Sequence, residues 1–293
     1  MSYITTVTGK HFYPLNPIPQ NIDIEDIAHA LSLICRANGH FKHFYSVAQH
    51  SIACAVEAIE RGFSSEVILA CLLHDASEAY LCDVTRPVKK QLPQYLRAEE
   101  KLQGVIWKCF IGRELTDTEL NQIFEIDDHI LSQEFHLLMP EDLNEDYRKL
   151  KSECTCDYQD PQEVKKQFIQ LARILRYEMT MREAEQLLRT KENTDRLQSL
   201  IGELEAYYTS DEWKRDFADD EAICSRKSCR AAFCLKTGFT IFWRNTRRHQ
   251  NDTIHQLLCS RGIENRSIGT GCFAEARRRF HGAEALRRKA QTA

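Results

Sequence analysis

Apolar residues recur every three or four positions along most of the chain between residues 23 and 175, and this spacing constrains the fold more than any other feature. Strand-like alternation of apolar and polar residues is scarce. The pattern therefore predicts an all-α fold. The first stretch is typical, because the apolar residues of segment 23–35 fall on one helical face, at Ile24, Ile27, Leu31 and Ile34.

Capping residues divide this pattern into separate helices. Asp23 is suited to cap the first helix, and Ser46 with Gln49 matches the S-x-x-Q capping box at the start of the second. Gly62 is a natural stop for that second helix. The other predicted elements are a helix from Ser64 or Ser65 that carries VILACLLHDASEAY, a loop at 83–93, and helices at about 118–138 and 160–175.

Composition narrows the class of protein. A hydrophobic fraction of 43% and a charged fraction of 28% are ordinary for a soluble globular chain, and a net charge of −4 does not favour nucleic-acid binding. No segment is apolar enough to span a membrane, and the first residues lack a secretory pattern, so we expect a cytoplasmic protein. The twelve cysteines include no CxxC pair, which predicts reduced thiols.

Two residues on apolar helical faces indicate chemistry. His50 lies in the first turn of its helix and points along the buried stripe. Asp127 falls on the apolar stripe of the 118–138 helix, whereas Asp128 falls off it. A buried carboxylate needs a partner, and a metal ion is a strong candidate. A hydrogen-bonded core histidine and an aspartate paired with a buried Lys or Arg remain open alternatives.

Further polar residues accompany an adjacent His-Asp pair, His74 and Asp75. Glu78 lies four residues after His74 and is expected on the same helix face, and Asp83 follows just past the expected helix end. A carboxyl group beside a metal site is suited to proton transfer. A solvated surface glutamate is the alternative reading of Glu78. The chain has no GxxxxGK[ST] segment, so ATP-driven chemistry has no support.

The order His…His-Asp…Asp resembles that of the HD-domain metal-dependent phosphohydrolases. The strings YSVAQHS, LLHDASEAYLCDVTRPVK and EIDDHIL are similar to the branch that includes the bacterial 5′-deoxynucleotidases and many phage relatives. The resemblance covers about residues 10–176. It implies an all-α HD-type helical bundle that hydrolyses nucleoside 5′-monophosphates to nucleoside and phosphate, with a homodimer as an open possibility.

The resemblance also assigns residue roles by position. The metal ligands would be His50, His74, Asp75 and Asp127, which would bind a divalent ion such as Mn²⁺, Co²⁺ or Mg²⁺. Glu78 would be the general acid/base, and Asp83 would position water or contact the sugar. Arg36 would hold the substrate phosphate, with Lys89 adding positive charge nearby; a guanidinium can grip phosphate through two bonds.

One departure concerns the substrate. In the deoxynucleotidases a tryptophan that packs on the substrate follows the arginine, and here that position is Ala37. The loss leaves three alternatives open: a phosphodiesterase, a triphosphohydrolase, or a catalytically silent nucleotide-binding module. Four residues of the same segment are candidates to line the pocket instead, with exposure of both histidines as the bland alternative: His40, His43, Phe44 and Tyr45.

The remainder of the chain differs in character. We expect an HD-type domain at 1–178 and a small, incomplete helical domain at 179–222, because YYTSDEWKRDFADDE at 207–221 resembles a small uncharacterised helical domain of bacteria and phages. That family continues with GVLSEDGIYDLLE. Codon degeneracy allows the stretch AAFCLKTGFTIFWR at 231–244 to spell this run in another reading frame. The sequence therefore predicts that 223–293 is an out-of-frame or disordered tail rather than a nucleic-acid patch.

Overall fold

A computed structural model describes residues 3–139, 150–190, 195–208 and 210–211. The expected tail at 223–293 and most of the 207–221 segment lie outside the described residues. Within the described part the all-α prediction is confirmed, because helices account for nearly all of its regular structure. None of the described helices combines the length and apolar character that crossing a lipid bilayer requires.

The described elements follow one another along the chain with short connections. A two-stranded antiparallel hairpin, β1 (Ile4–Thr5) and β2 (His11–Phe12), precedes the helices. The helices are α1 (Ile24–Leu33), α2 (Val47–Arg61), α3 (Ser65–Leu72), α4 (Glu78–Leu81), α5 (Arg86–Lys89), α6 (Pro93–Ile111), α7 (Asp117–Leu138), α8 (Pro161–Arg189) and α9 (Asp195–Tyr208). Two 3-10 turns lie at Pro19–Asn21 and Arg36–Gly39.

The expected caps are present at the start of both early helices. The Asp23 side chain accepts a hydrogen bond from the Glu25 backbone N–H. Ser46 and Gln49 form the reciprocal capping box, in which each side chain accepts from the other residue's backbone N–H. Gly62 ends α2 with a φ of 74°, a left-handed conformation that glycine adopts without steric cost. The start of α2 is therefore fixed four residues before His50.

Helices α2 and α3 lie at the centre of the main core, packed against α1, α7 and α8. Each fully buried aliphatic or aromatic side chain here contributes on the order of 2 kcal/mol relative to exposure. Representative members of this core, all with less than 2% exposure, are Ile27, Leu31, Leu69, Leu72, Ile123, Ile126 and Phe168. The candidate site residues project from the same central helices.

The third predicted helix is not continuous, which corrects the sequence-based expectation. Helix α3 ends at Leu72, and residues 73–77 form tighter turns before α4 begins at Glu78. The side chain of Gln103 stabilises this break, because its Nε2 donates to Leu73 O (2.7 Å) and its Oε1 accepts from Ser77 N–H (3.1 Å). The His-Asp pair therefore lies in a turn and does not share one regular helix face with Glu78.

Helix α8 runs unbroken across the domain boundary expected at residue 178. The apolar contacts do change near that point. Side chains from Val164 to Leu175 belong to the main core, whereas Met181 and Ala184 pack with α9 in a second, smaller cluster. The expected boundary thus coincides with a change of core inside a single helix.

Candidate metal centre

His50 is fully buried in the first turns of α2, with its ring fixed by a carboxylate. Its Nδ1 lies 2.7 Å from Oε1 of Glu134, whose side chain is also fully buried. A ring that donates from Nδ1 keeps the lone pair of Nε2 free, and this second nitrogen faces His74. A histidine oriented by a carboxylate in this way is the usual arrangement of a metal ligand.

His74 is oriented by the backbone rather than by a carboxylate. The turn after α3 places its Nδ1 2.7 Å from the carbonyl oxygen of Cys71. Its Nε2 therefore points toward Nε2 of His50, at 3.1 Å. Asp75, the next residue in the turn, has Oδ2 3.3 Å from His74 Nε2 and 3.8 Å from His50 Nε2.

Asp127 completes the group from α7. Its Oδ1 lies 3.1 Å from His50 Nε2 and 3.7 Å from His74 Nε2. Its side chain is 17% exposed, whereas that of Asp128 is 62% exposed and lies outside the cluster. The structure thus brings together all four residues for which metal ligation is predicted.

The donor set fits a divalent cation. Two imidazole Nε2 atoms and two carboxylate oxygens lie 3.1–3.8 Å from one another in the measured pairs. Ligands held at about 2.0–2.2 Å from one ion are separated by roughly 3 Å or slightly more. With both Nδ1 atoms acting as donors, the converging atoms are all lone-pair acceptors, and two carboxylates match the charge of a divalent ion.

The field of the cluster also favours positive charge. Burial and the Arg36 charge lower the pKa of His50, but the neighbouring Cys54, Glu134 and Asp127 outweigh them and hold it well above its ordinary value. Burial raises the pKa of Asp127, but hydrogen bonds and charge from the two histidines hold it well below its ordinary value. A cation at this point is therefore stabilised on electrostatic grounds.

Cys54 lies beside the histidines, one helical turn after His50. Its Sγ is 3.6 Å from His50 Nε2, and possible ligand atoms of His50, Cys54 and His74 all lie within 4.8 Å of one another. These three buried residues could hold a metal ion. Burial raises the pKa of the Cys54 thiol to about 11, which favours its neutral form. The sequence indicated only a small apolar residue here.

Arg36 lies beside the cluster and is itself held by carboxylates. Its Nε donates to Glu134 (3.2 Å) and its Nη1 to Asp75 (3.1 Å). Burial lowers its pKa, but the charges of Glu134 and Asp75 outweigh burial and raise it above its ordinary value. The following residue, Ala37, has a φ of 51°, a left-handed conformation that is strained for alanine. Backbone strain of this kind clusters at functional sites.

Glu78 begins α4 with a carboxyl group that is 4% exposed. Its Oε1 lies 3.7 Å from Lys89 Nζ, and its buried Oε2 has no hydrogen-bond partner among the described residues. Burial, followed by the charges of Asp75 and Asp83, raises the pKa of Glu78 well above its ordinary value. Lys89 is shared, since its Nζ also lies 2.6 Å from Glu99.

Asp83 is half-buried just after α4. Burial raises its pKa, and it is close enough to Arg36 and Asp75 for their charges to contribute. The preceding Cys82 has a φ of 69°. Both residues predicted to contact substrate, Arg36 and Asp83, therefore adjoin a backbone position in a strained left-handed conformation.

The alternative pocket residues differ in their surroundings. His40 and His43 are exposed, which agrees with the bland alternative. Tyr45 is buried and packs edge-on against Phe41, in a small cluster with Leu138. Its carbonyl oxygen accepts a hydrogen bond from the Arg36 backbone N–H (2.9 Å), so it supports the arginine through the backbone.

Sequence reasoning missed Glu134 and Arg86. Glu134 lies seven residues after Asp127 in α7, on the same helix face, so a second acid on an apolar stripe was the signal that could have identified it. Arg86 donates to Asp127 and Asp128 from the loop expected at 83–93. Its sequence context, within a Pro-containing loop, carries no periodic signal.

No family model matches the chain. The chain is 48% identical over 106 residues to the uncharacterised protein YfdR of Escherichia coli (strain K12), covering 36% of this chain and 57% of that protein. It is 37% identical over 106 residues to an uncharacterised protein of Rhodobacter capsulatus, covering 34% of this chain and 54% of the relative. The chain thus spans little more than half the length of the curated relatives it matches.

Proposed function

We propose that the chain is a divalent-metal-dependent phosphohydrolase that acts on nucleoside 5′-monophosphates. The observation that carries the proposal is the convergence of two imidazole nitrogens and two carboxylate oxygens on one point, beside a buried arginine. In this reading the ligands are His50, His74, Asp75 and Asp127. Imidazole and carboxylate donors suit Mn²⁺, Co²⁺ or Mg²⁺ better than they suit a soft metal.

A bound divalent ion would lower the pKa of a water molecule and polarise a phosphoryl oxygen. The other contributions come from the protein. Arg36 has Nε and Nη1 committed to Glu134 and Asp75, which fixes the guanidinium plane, while no described residue accepts from its Nη2. That nitrogen is available to a substrate phosphate, where it would offset negative charge.

Glu78 and Asp83 supply candidate proton-transfer groups. Glu78 is buried, and its Oε2 has no partner among the described residues, which suits a carboxyl group that exchanges a proton with a reacting molecule. Lys89, 3.7 Å from Glu78, adds positive charge on the same side. Asp83 follows the strained Cys82 and would position water or contact the sugar.

The test is phosphate release from a panel of nucleoside monophosphates, cyclic nucleotides and triphosphates, each with Mn²⁺, Co²⁺ and Mg²⁺. We expect turnover of monophosphates that requires the metal. Turnover confined to diesters or triphosphates would overturn the substrate class, and nucleotide binding without turnover would overturn the enzymatic reading.

A matched pair of variants isolates the metal centre. Asp127→Asn should reduce phosphate release by at least about a hundredfold, because it removes a predicted ligand charge. Asp128→Asn changes the neighbouring exposed carboxylate and should retain activity within a factor of about three. Equal activity in the two variants would contradict the proposal.

A further inference from the structure

The two carboxylate oxygens of Asp127 have different partners. Oδ1 lies 3.1 Å from His50 Nε2 and 3.7 Å from His74 Nε2, so it faces the cluster. Oδ2 accepts a hydrogen bond of 2.7 Å from Nη2 of Arg86. The carboxylate therefore bridges the two inner histidines and one outer arginine.

Arg86 is held in one orientation by its own contacts. While Nη2 donates to Asp127, Nη1 donates to Oδ1 of Asp128 at 2.7 Å. The residue begins α5, and Pro87 restricts the backbone at the next position. A planar guanidinium presents its donors in fixed directions, which a lysine ammonium cannot do. The Arg86 side chain is 55% exposed, so the ion pair connects the surface to the cluster.

We infer that Arg86 is a positioning residue, which keeps one oxygen of Asp127 on the metal centre by occupying the other. The inference rests on the proposed function. A carboxylate without such a partner can rotate about its Cβ–Cγ bond and offer either oxygen, or both, to water. Arg36 has the corresponding contact with Asp75 (3.1 Å), so each of the two carboxylates in the cluster is paired with one arginine.

A purely structural ion pair would behave differently. Exposed ion pairs of this kind have small effects on stability, and their loss has no reason to change the affinity for a metal ion. Groups that orient a metal ligand typically change that affinity by tenfold to a hundredfold, to order of magnitude. The dissociation constant for the metal therefore separates the positioning role from a structural one.

The experiment measures Mn²⁺ binding to the full chain by electron paramagnetic resonance of the free ion, with Mn²⁺ alone as the probe. Arg86→Gln should raise the Kd by about tenfold or more. Arg86→Lys keeps the charge without the fork and should recover only part of the affinity. The matched control is Arg113→Gln, which removes an exposed arginine that forks onto Glu119 and should leave the Kd within about twofold. Circular dichroism verifies that each variant is folded, and Arg86→Lys carries the test if Arg86→Gln is not.

Each outcome has a definite meaning. If the unchanged chain binds Mn²⁺ and Arg86→Gln binds it equally well, the positioning role is wrong and the metal centre stands. An equal loss of affinity in Arg113→Gln would reveal a general charge effect and also overturn the role of Arg86. If the unchanged chain binds none of Mn²⁺, Co²⁺ and Mg²⁺, the proposed function fails, and the role of Arg86 fails with it.

Discussion

Nδ1 of His50 lies 2.7 Å from Oε1 of Glu134, and neither side chain has any exposed surface. The two residues are 84 positions apart in the chain, on α2 and α7. Glu134 also accepts from Nε of Arg36, so one buried carboxylate orients both a predicted metal ligand and the predicted phosphate-binding residue. Charge-assisted hydrogen bonds of this kind are stronger than neutral ones.

Replacing Glu134 should therefore weaken metal binding without removing a ligand. Glu134→Gln keeps the volume and an acceptor oxygen but loses the charge, and we expect the Mn²⁺ Kd to rise by roughly tenfold to a hundredfold. Glu125→Gln, at an exposed position of the same helix, is the control and should leave the Kd within about twofold. Indistinguishable constants for the two variants would contradict the orienting role of Glu134.

Gln103 should be a major contributor to stability despite its distance in sequence from the His-Asp turn. Gln103→Leu would leave the Leu73 carbonyl and the Ser77 N–H buried without their present partner. We expect a loss of about 3 kcal/mol in the free energy of unfolding, measured by urea denaturation. Gln94→Leu, at an exposed site in α6, should change stability by less than about 0.5 kcal/mol. A loss below about 1 kcal/mol for Gln103→Leu would refute the prediction.

Ala37 offers a test of backbone strain. Because its φ is 51°, Ala37→Gly should stabilise the protein by about 1 kcal/mol, as glycine adopts this conformation without a steric penalty. Ala30→Gly, in the middle of α1, should instead cost about 1 kcal/mol. Thermal unfolding of both variants gives the comparison, and the same sign in both would show that Ala37 is unstrained.

Glu57 should make stability depend on acidic pH. Burial raises its pKa, but hydrogen bonds from Ser152, Arg61 and Lys151 outweigh burial and hold the pKa below its ordinary value of 4.5. A carboxylate with a depressed pKa in the folded state stabilises above the unfolded pKa, and its contribution is lost as pH falls through the folded pKa.

The unchanged protein should therefore be more stable than Glu57→Gln by roughly 2 kcal/mol at neutral pH, with the difference shrinking as pH falls below about 4.5. Urea denaturation at both pH values measures it. Glu100→Gln, at an exposed position in α6, should show a difference close to zero throughout. A difference for Glu57→Gln that stays constant between the two pH values would contradict the linkage.

The fold class and several helix ends could be predicted because their causes are local. The capping box of Ser46 and Gln49, the stop at Gly62 and the helix at Asp117–Leu138 depend on residues within a few positions of one another. The break after Leu72 could not be predicted in this way. It depends on Gln103, which is 30 residues away and belongs to another helix.

The candidate site divides along the same line. The inward faces of His50 and Asp127 follow from helical spacing, so their sequence signals were readable. The partners that orient them, Glu134 and Arg86, are fixed by tertiary packing and by a short helix in a Pro-containing segment. The ligand roles of the four clustered residues stay predictions until metal binding is measured.

Helix α8 has a consequence for how the protein opens. Its 29 residues form a rod about 44 Å long. The turns around Phe168 are enclosed by the main core, whereas those around Ala184 pack mainly with α9. Amide protons along this one rod should therefore exchange with solvent at graded rates, slowest near Phe168 and faster toward Ala184, so that partial unfolding proceeds inward from the far end while the metal-binding helices stay closed.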